Sequence, residues 1–153
     1  MTTLYFFMLS VFIIYVSFIW IKYGIQPSIS ESYYVLPDKW KFLFTLFCWG
    51  FAVPAIILGN TLLMFLAGSA IAFVGAAAAF KDKITREVHL IGAYSGVLLS
   101  QVAIFVDFKM WYLNVAFVLF GLYKFLIHKD NKVWYVEIAA FLSICIALIK
   151  HIC

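Results

Sequence analysis

No charged side chain precedes Lys22, and the stretch before it consists mainly of aromatic and aliphatic residues. A helix needs about 20 mainly apolar residues to cross the hydrocarbon layer of a bilayer, which is about 30 Å thick. Five or six such runs follow one another along the chain, with short loops between them. Only 12% of the residues are charged, compared with about 25% in soluble domains. Because this composition cannot cover a water-facing surface, we expect an integral membrane protein.

The apolar runs predict an all-α, polytopic transmembrane bundle that forms a single domain over residues 1–153. The alternating pattern of a membrane barrel is absent from the sequence. Without a basic start or a small-residue cleavage site, the first run is expected to be a retained helix rather than a cleaved signal. Six spans with short loops are predicted at about residues 4–21, 41–59, 61–80, 89–106, 110–127 and 134–152.

Aromatic residues at the ends of these runs support the boundaries, because amphipathic rings prefer the headgroup level of a membrane. The tryptophans expected at that level are Trp20, Trp40, Trp111 and Trp134. Trp49 falls near the middle of the second span, and we expect it to pack between helices.

Basic residues predict the orientation of the chain, since they favour the cytoplasmic face. Nine lysines and arginines lie in or beside loops 1, 3 and 5, which follow the first, third and fifth spans, whereas only Lys109 and Lys150 lie on the opposite side. We therefore expect those loops in the cytoplasm and both termini outside, in a plasma membrane or a bacterial inner membrane. No basic cluster is dense enough to predict nucleic-acid binding.

Loop 1 contains the longest polar passage of the chain, PSISESYYVLPDKW at residues 27–40. The spans place this passage on the same side as four further polar residues, Glu87, His89, His128 and Glu137. Asp107 lies at the other side, because 18 helical residues separate it from His89 and correspond to about 27 Å. One interpretation is that loop 1 covers a polar site; the alternative is that it merely rests on the headgroups.

The fourth predicted span has a small and polar stripe along one face, at spacings of three and four residues. Gln101 lies beside the stripe, whose members are His89, Gly92, Gly96, Ser100, Ala103 and Asp107. Polar atoms avoid lipid, so the stripe is expected to face the interior. It is either one wall of a pocket or a closely packed helix face. Small residues in the third and fourth spans likewise indicate internal packing or the interface of a homo-oligomer.

Neither a metal nor a cofactor is expected from the spacing of the ligand-type residues. The sequence has no HxxxH, HExxH or CxxC motif, and a zinc site would need ligands from three loops or helix ends. Cys48 and Cys145 are most simply small packing residues.

The PSIS motif after the first span and the HLIGA motif at His89–Ala93 are similar to motifs of the DRAM/Sfk-type membrane proteins and their bacterial relatives. The resemblance covers about residues 20–105. It implies six spans, lipid or glycolipid handling, and a role for Ser28, Ser30 and His89. In that family the serine loop lies on the non-cytoplasmic side, which is opposite to the side that the charges predict here.

Together these features predict a non-enzymatic membrane protein with a polar pocket near one interface, which binds a lipid headgroup or a small solute. Membrane lipids are thus the expected partners. The predicted ligand-binding residues are Ser28, Ser30, Glu31, Tyr33, Glu87, His89, His128 and Glu137. Lys39, Lys41 or Arg86 would attract a phosphate. A membrane-embedded lipid hydrolase, possibly using zinc, and an oligomeric channel or transporter are the two alternatives.

Overall fold

The computed structural model describes residues 1–77, 83–127 and 131–152, and for residues 77 and 83–89 it describes the backbone alone. Over these ranges the chain is all-α, with seven helices, one 3-10 turn at Asp38–Trp40 and no strand. The helices are α1 Thr2–Tyr23, α2 Ser32–Val35, α3 Phe42–Gly59, α4 Leu62–Ala77, α5 Lys83–Val106, α6 Trp111–Ile127 and α7 Lys132–Ile152. The prediction of an all-helical chain is confirmed.

Three segments of the described chain are long and apolar enough to cross a membrane by length and composition: Thr2–Tyr23, Asp38–Gly59 and Lys132–Ile152. Three shorter apolar helices accompany them, over Leu62–Ala76, Leu90–Val106 and Trp111–Ile127.

Two features differ from the expected boundaries. The fourth long helix begins at Lys83 rather than near residue 89, so α5 extends beyond its apolar part. Loop 1 contains α2 and the 3-10 turn, where the sequence predicted only an irregular connection.

Helix α7 lies at the centre of the bundle, where it contacts α1, α3, α5 and α6. Its Phe141 ring packs between the two helices at the start of the chain. The ring centroid lies 5.4 Å from that of Phe12 in α1 and 4.6 Å from that of Phe51 in α3. Such offset and edge-on ring pairs stabilise a core beyond the burial of their area.

The buried face of α1 follows the heptad spacing of helices that pack nearly side by side. Its buried residues are Tyr5, Met8, Phe12, Tyr15 and Ile19. Apolar residues also cover the exposed face, including Phe6, Ile14 and Ile21.

Glycines set the close contact of α4 with its neighbours α3 and α5. A Cβ atom added at Gly75 would lie 2.6 Å from Cβ of Cys48 in α3, and one added at Gly96 would lie 3.0 Å from Cγ1 of Ile71 in α4. A Cβ atom added at Gly92 would likewise lie 3.0 Å from Cγ2 of Val74 in α4. The small-residue faces of the third and fourth predicted spans are therefore used for packing within the chain.

Two tryptophans are placed differently from the expectation. Trp134 is buried, with 2% of its surface exposed, rather than at the edge of the bundle. Trp49 was expected between helices but is 51% exposed, although its indole N–H donates to the Ala72 carbonyl of α4 at 3.0 Å. Trp20, Trp40 and Trp111 are exposed at helix or loop ends, as expected.

We predict that Gly75→Ala lowers the free energy of unfolding by about 1–3 kcal/mol, because the added methyl group overpacks the contact with Cys48. Gly121→Ala is the matched control, since its added Cβ would meet only Val136 at 3.9 Å. It should leave stability unchanged or raise it by up to about 1 kcal/mol, because alanine favours the helix. Unfolding of the purified variants in mild detergent measures both effects; equal losses would contradict the packing argument.

Candidate functional site

Loop 1 folds into the helical bundle rather than lying over it. Seven of its side chains are buried: Gln26, Ser28, Ile29, Ser30, Ser32, Tyr33 and Leu36. Buried backbone needs hydrogen-bond partners, since an unpaired polar group in an apolar environment costs stability.

The serine side chains supply several of these partners. The Ser28 hydroxyl accepts the Glu31 backbone N–H at 3.0 Å and lies 2.9 Å from the Ser30 hydroxyl. The Ser32 hydroxyl donates to the Ile29 carbonyl and lies 2.7 Å from the hydroxyl of Tyr15 in α1. The hydroxyl-rich composition of loop 1 thus satisfies a buried turn and ties it to α1.

The first turns of α7 hold the other side of loop 1. The Glu137 carboxylate accepts the backbone N–H of Ile29. The Trp134 backbone N–H donates to the Pro27 carbonyl at 3.1 Å. That N–H lies in the first turn of α7, where backbone N–H groups have no acceptor within their own helix. Loop 1 therefore caps α7 while α7 anchors loop 1.

A cavity of about 40 Å³ lies behind this junction, enclosed by loop 1, α3, α4, α5 and α7. Its walls are mainly apolar, and its polar lining residues are Ser30, Ser100 and Glu137. A cavity needs about 10–15 Å³ of such volume to hold one water molecule, so this one accommodates water but no larger ligand.

A larger groove of about 460 Å³ opens on the other side of Glu137, between α5, α6 and α7. This volume is within the range of about 300–1,000 Å³ that is typical of small-molecule sites. Apolar side chains form most of its walls: Leu90, Ala93, Tyr94, Val97, Leu98, Phe117, Val118, Val133 and Val136. Ser28, Ser30 and Glu137 form a polar cluster at one part of the groove. We call this space the α5–α7 groove.

A second polar cluster lies deeper along the α5–α7 groove and joins its three helices. The Gln101 amide donates to the Ser143 hydroxyl of α7 at 2.8 Å, and the Asn114 amide of α6 donates to the Gln101 carbonyl at 2.8 Å. Six residues separate Glu137 from Ser143, so the two clusters are about 9 Å apart along the axis of α7. The Asn114 side-chain oxygen is buried and has no hydrogen-bond partner in the structure.

Among the described side chains, the lining of the α5–α7 groove contains one carboxylate and no basic residue. The only ion pair among the described residues joins Lys41 to Asp38 at 2.7 Å. The Lys41 ammonium also lies 5.2 Å from the centre of the Tyr33 ring. Neither Lys39 nor Lys41 lines the groove. The Arg86 side chain lies outside the described side chains, so a phosphate site that uses Arg86 stays a prediction.

Three of the predicted ligand-binding residues, Ser28, Ser30 and Glu137, come together in the α5–α7 groove. Glu31 and Tyr33 do not line it, and Tyr33 instead packs against Phe44 and Lys41. The side chains of Glu87, His89 and His128 lie outside the described side chains.

Some residues of the predicted polar stripe pack against a neighbouring helix, and others line a cavity or the groove. Gly92 packs against Val74 of α4, whereas Gly96 and Ser100 line the small cavity. Gln101 faces the α5–α7 groove. Asp107 follows α5 at the far end of the bundle, where one of its side-chain oxygens is buried without a partner. Its neighbour Phe108 packs against the His151 ring with the centroids 5.0 Å apart.

Among the described residues, no group of three histidine, cysteine or acidic side chains is placed to hold a metal ion. Cys48 and Cys145 are buried and not joined in a disulfide. The zinc-dependent alternative involves Glu87 and His89, whose side chains are outside the described set, so it stays a prediction.

Asn114 is the site residue that sequence reasoning missed. It is the only amide in α6, which otherwise consists of apolar residues, glycine and Lys124. A polar residue within an apolar span is a functional candidate by default, so this signal was available in the sequence.

No protein-family model, curated protein or solved structure matches this chain.

We predict that Glu137→Leu destabilises the junction of loop 1 and α7. The substitution leaves the buried Ile29 N–H without its acceptor, at a cost of about 1–3 kcal/mol. Hydrogen exchange of a peptide that covers residues 28–36 should become faster. Glu137→Gln keeps an acceptor oxygen and should restore most of the protection, and Glu31→Leu serves as the control outside the junction. Unchanged exchange in Glu137→Leu would show that loop 1 does not depend on this carboxylate.

Proposed function

We propose that this protein is an integral membrane protein with six spans that binds a lipid or another amphiphile in the α5–α7 groove without catalysing a reaction. The observation that carries the proposal is the arrangement of the groove. An apolar trough ends at a polar cluster of Ser28, Ser30 and Glu137. This matches the needs of a ligand with an apolar chain and a polar head, since apolar walls supply affinity and a few polar groups fix orientation.

The six spans are supported by the exposed surface of the helices. Large apolar side chains are exposed on all six long helices, including Phe7, Leu46, Phe65, Leu98, Leu119 and Ile146. Exposed apolar area of this extent suits contact with lipid. The shorter helices α4 and α6 have 16 and 17 residues, at or just below the lower limit of about 17 for a span.

The position of α6 supports access of a ligand from the side of the bundle. None of its residues is buried, and among the described residues its main contacts are with α5 and α7. Apart from apolar contacts with α7, the hydrogen bonds of Asn114 hold α6 in place. The Tyr112 hydroxyl also accepts a hydrogen bond from the Lys150 ammonium at 3.2 Å. In addition, the Lys124 ammonium lies 4.0 Å from the centre of the Tyr135 ring. A helix that is held in this way can move aside for the apolar chain of a ligand that enters from the membrane.

We predict that Val97→Trp abolishes ligand binding by filling the α5–α7 groove, while the fold is retained. Val97 lines the groove, whereas Val102 on the same helix lines neither cavity and is 37% exposed. Val102→Trp is therefore the matched control. Native mass spectrometry and lipid extraction of the purified proteins should find a stoichiometric amphiphile with the wild type and Val102→Trp only. Equal retention by Val97→Trp, or no bound amphiphile in the wild type after supply of membrane lipids, would refute the proposed function.

The proposed orientation gives a separate prediction. In a chain whose three cysteines are replaced by alanine, Lys39→Cys in loop 1 should be protected from a membrane-impermeant maleimide in intact cells. Leu62→Cys, at the start of α4, should react, because it lies on the proposed outer side. Both positions are exposed in the structure, so both should react after permeabilisation. The reverse labelling would place loop 1 outside, and labelling of both in intact cells would contradict six spans.

A further inference from the structure

We infer that the α5–α7 groove selects amphiphiles with a protonated amine head over those with a phosphate head. This inference rests on the proposed function and specifies the chemical class of its ligand. Two features of the described residues support it: the charge of the described groove lining and the free acceptor positions of Glu137.

Among the described side chains, the groove lining carries one formal charge, the Glu137 carboxylate, and no lysine, arginine or histidine. In a weakly polar environment an ammonium group next to a carboxylate is attracted much more strongly than in water, whereas a phosphate is repelled. The one ion pair among the described residues does not involve Glu137. An ammonium head at this position supplies the opposite charge.

The carboxylate also has hydrogen-bonding capacity beyond its contacts with loop 1. It accepts from the backbone of Ile29. An ionised carboxylate has about four acceptor positions, so about three remain for a ligand. The Ser28 and Ser30 hydroxyls lie beside it and can accept from the same donor, because hydroxyl hydrogens rotate.

Photo-crosslinking of the purified full-length protein tests the inference. The probes are dodecylamine, dodecanol and dodecyl phosphate, each with the same diazirine in the chain, in a maltoside detergent whose headgroup has neither amine nor charge. The amine probe should label groove residues of α5, α6 and α7 at least about tenfold more than the phosphate probe. Glu137→Gln should reduce labelling by the amine about tenfold, which corresponds to one lost charge-assisted hydrogen bond, and should leave labelling by the alcohol unchanged.

Glu31→Gln is the matched control, since Glu31 belongs to the same loop but does not line the groove, and it should behave as the wild type. A competition on the wild-type protein avoids any effect of substitutions on folding: unlabelled dodecylamine should displace the alcohol probe at a lower concentration than dodecyl phosphate does. Equal or better labelling by the phosphate probe, or amine labelling unaffected by Glu137→Gln, overturns the inference and leaves the groove as a binding site. Failure of all three probes to label the groove refutes the proposed function itself.

Discussion

The hydrogen bond from the Ile29 backbone to the Glu137 carboxylate joins segments 108 residues apart, and the candidate site depends on it. Loop 1 can enter the bundle only if its backbone N–H groups find acceptors there. Glu137 provides one, and loop 1 in return provides the Pro27 carbonyl for the first turn of α7. Because Ser28 and Ser30 flank the contact, the same junction forms the polar cluster of the α5–α7 groove. The structural role of this carboxylate therefore coincides with its proposed ligand-binding role.

The helices pack more closely on one side of the bundle than on the other. On the side of α3, α4 and α5, glycines bring the helices so close that little space remains, as the contact of Gly75 with Cys48 illustrates. On the side of α5, α6 and α7, bulky side chains and a few polar contacts keep the helices apart. Close packing in lipid depends on small residues because no hydrophobic drive operates between helices there. Among the described residues, the nearest neighbours of Gly92 and Gly96 in α5 belong to α4, and that of Gly121 in α6 belongs to α7, which agrees with the position of the groove.

Helix positions follow from the apolar runs, and the six predicted spans agree with the long helices to within a few residues, apart from the early start of α5. The apolar runs do not show which face of each helix is buried. In α1 both the buried Phe12 and the exposed Ile14 are apolar, so hydrophobicity does not distinguish core from surface. Only polar positions carried that information, which is why Glu137 and Gln101 were found from sequence. The fold of loop 1 depends on contacts with Tyr15 and α7, which local sequence does not encode, and for the same reason the burial of Trp134 was not foreseen.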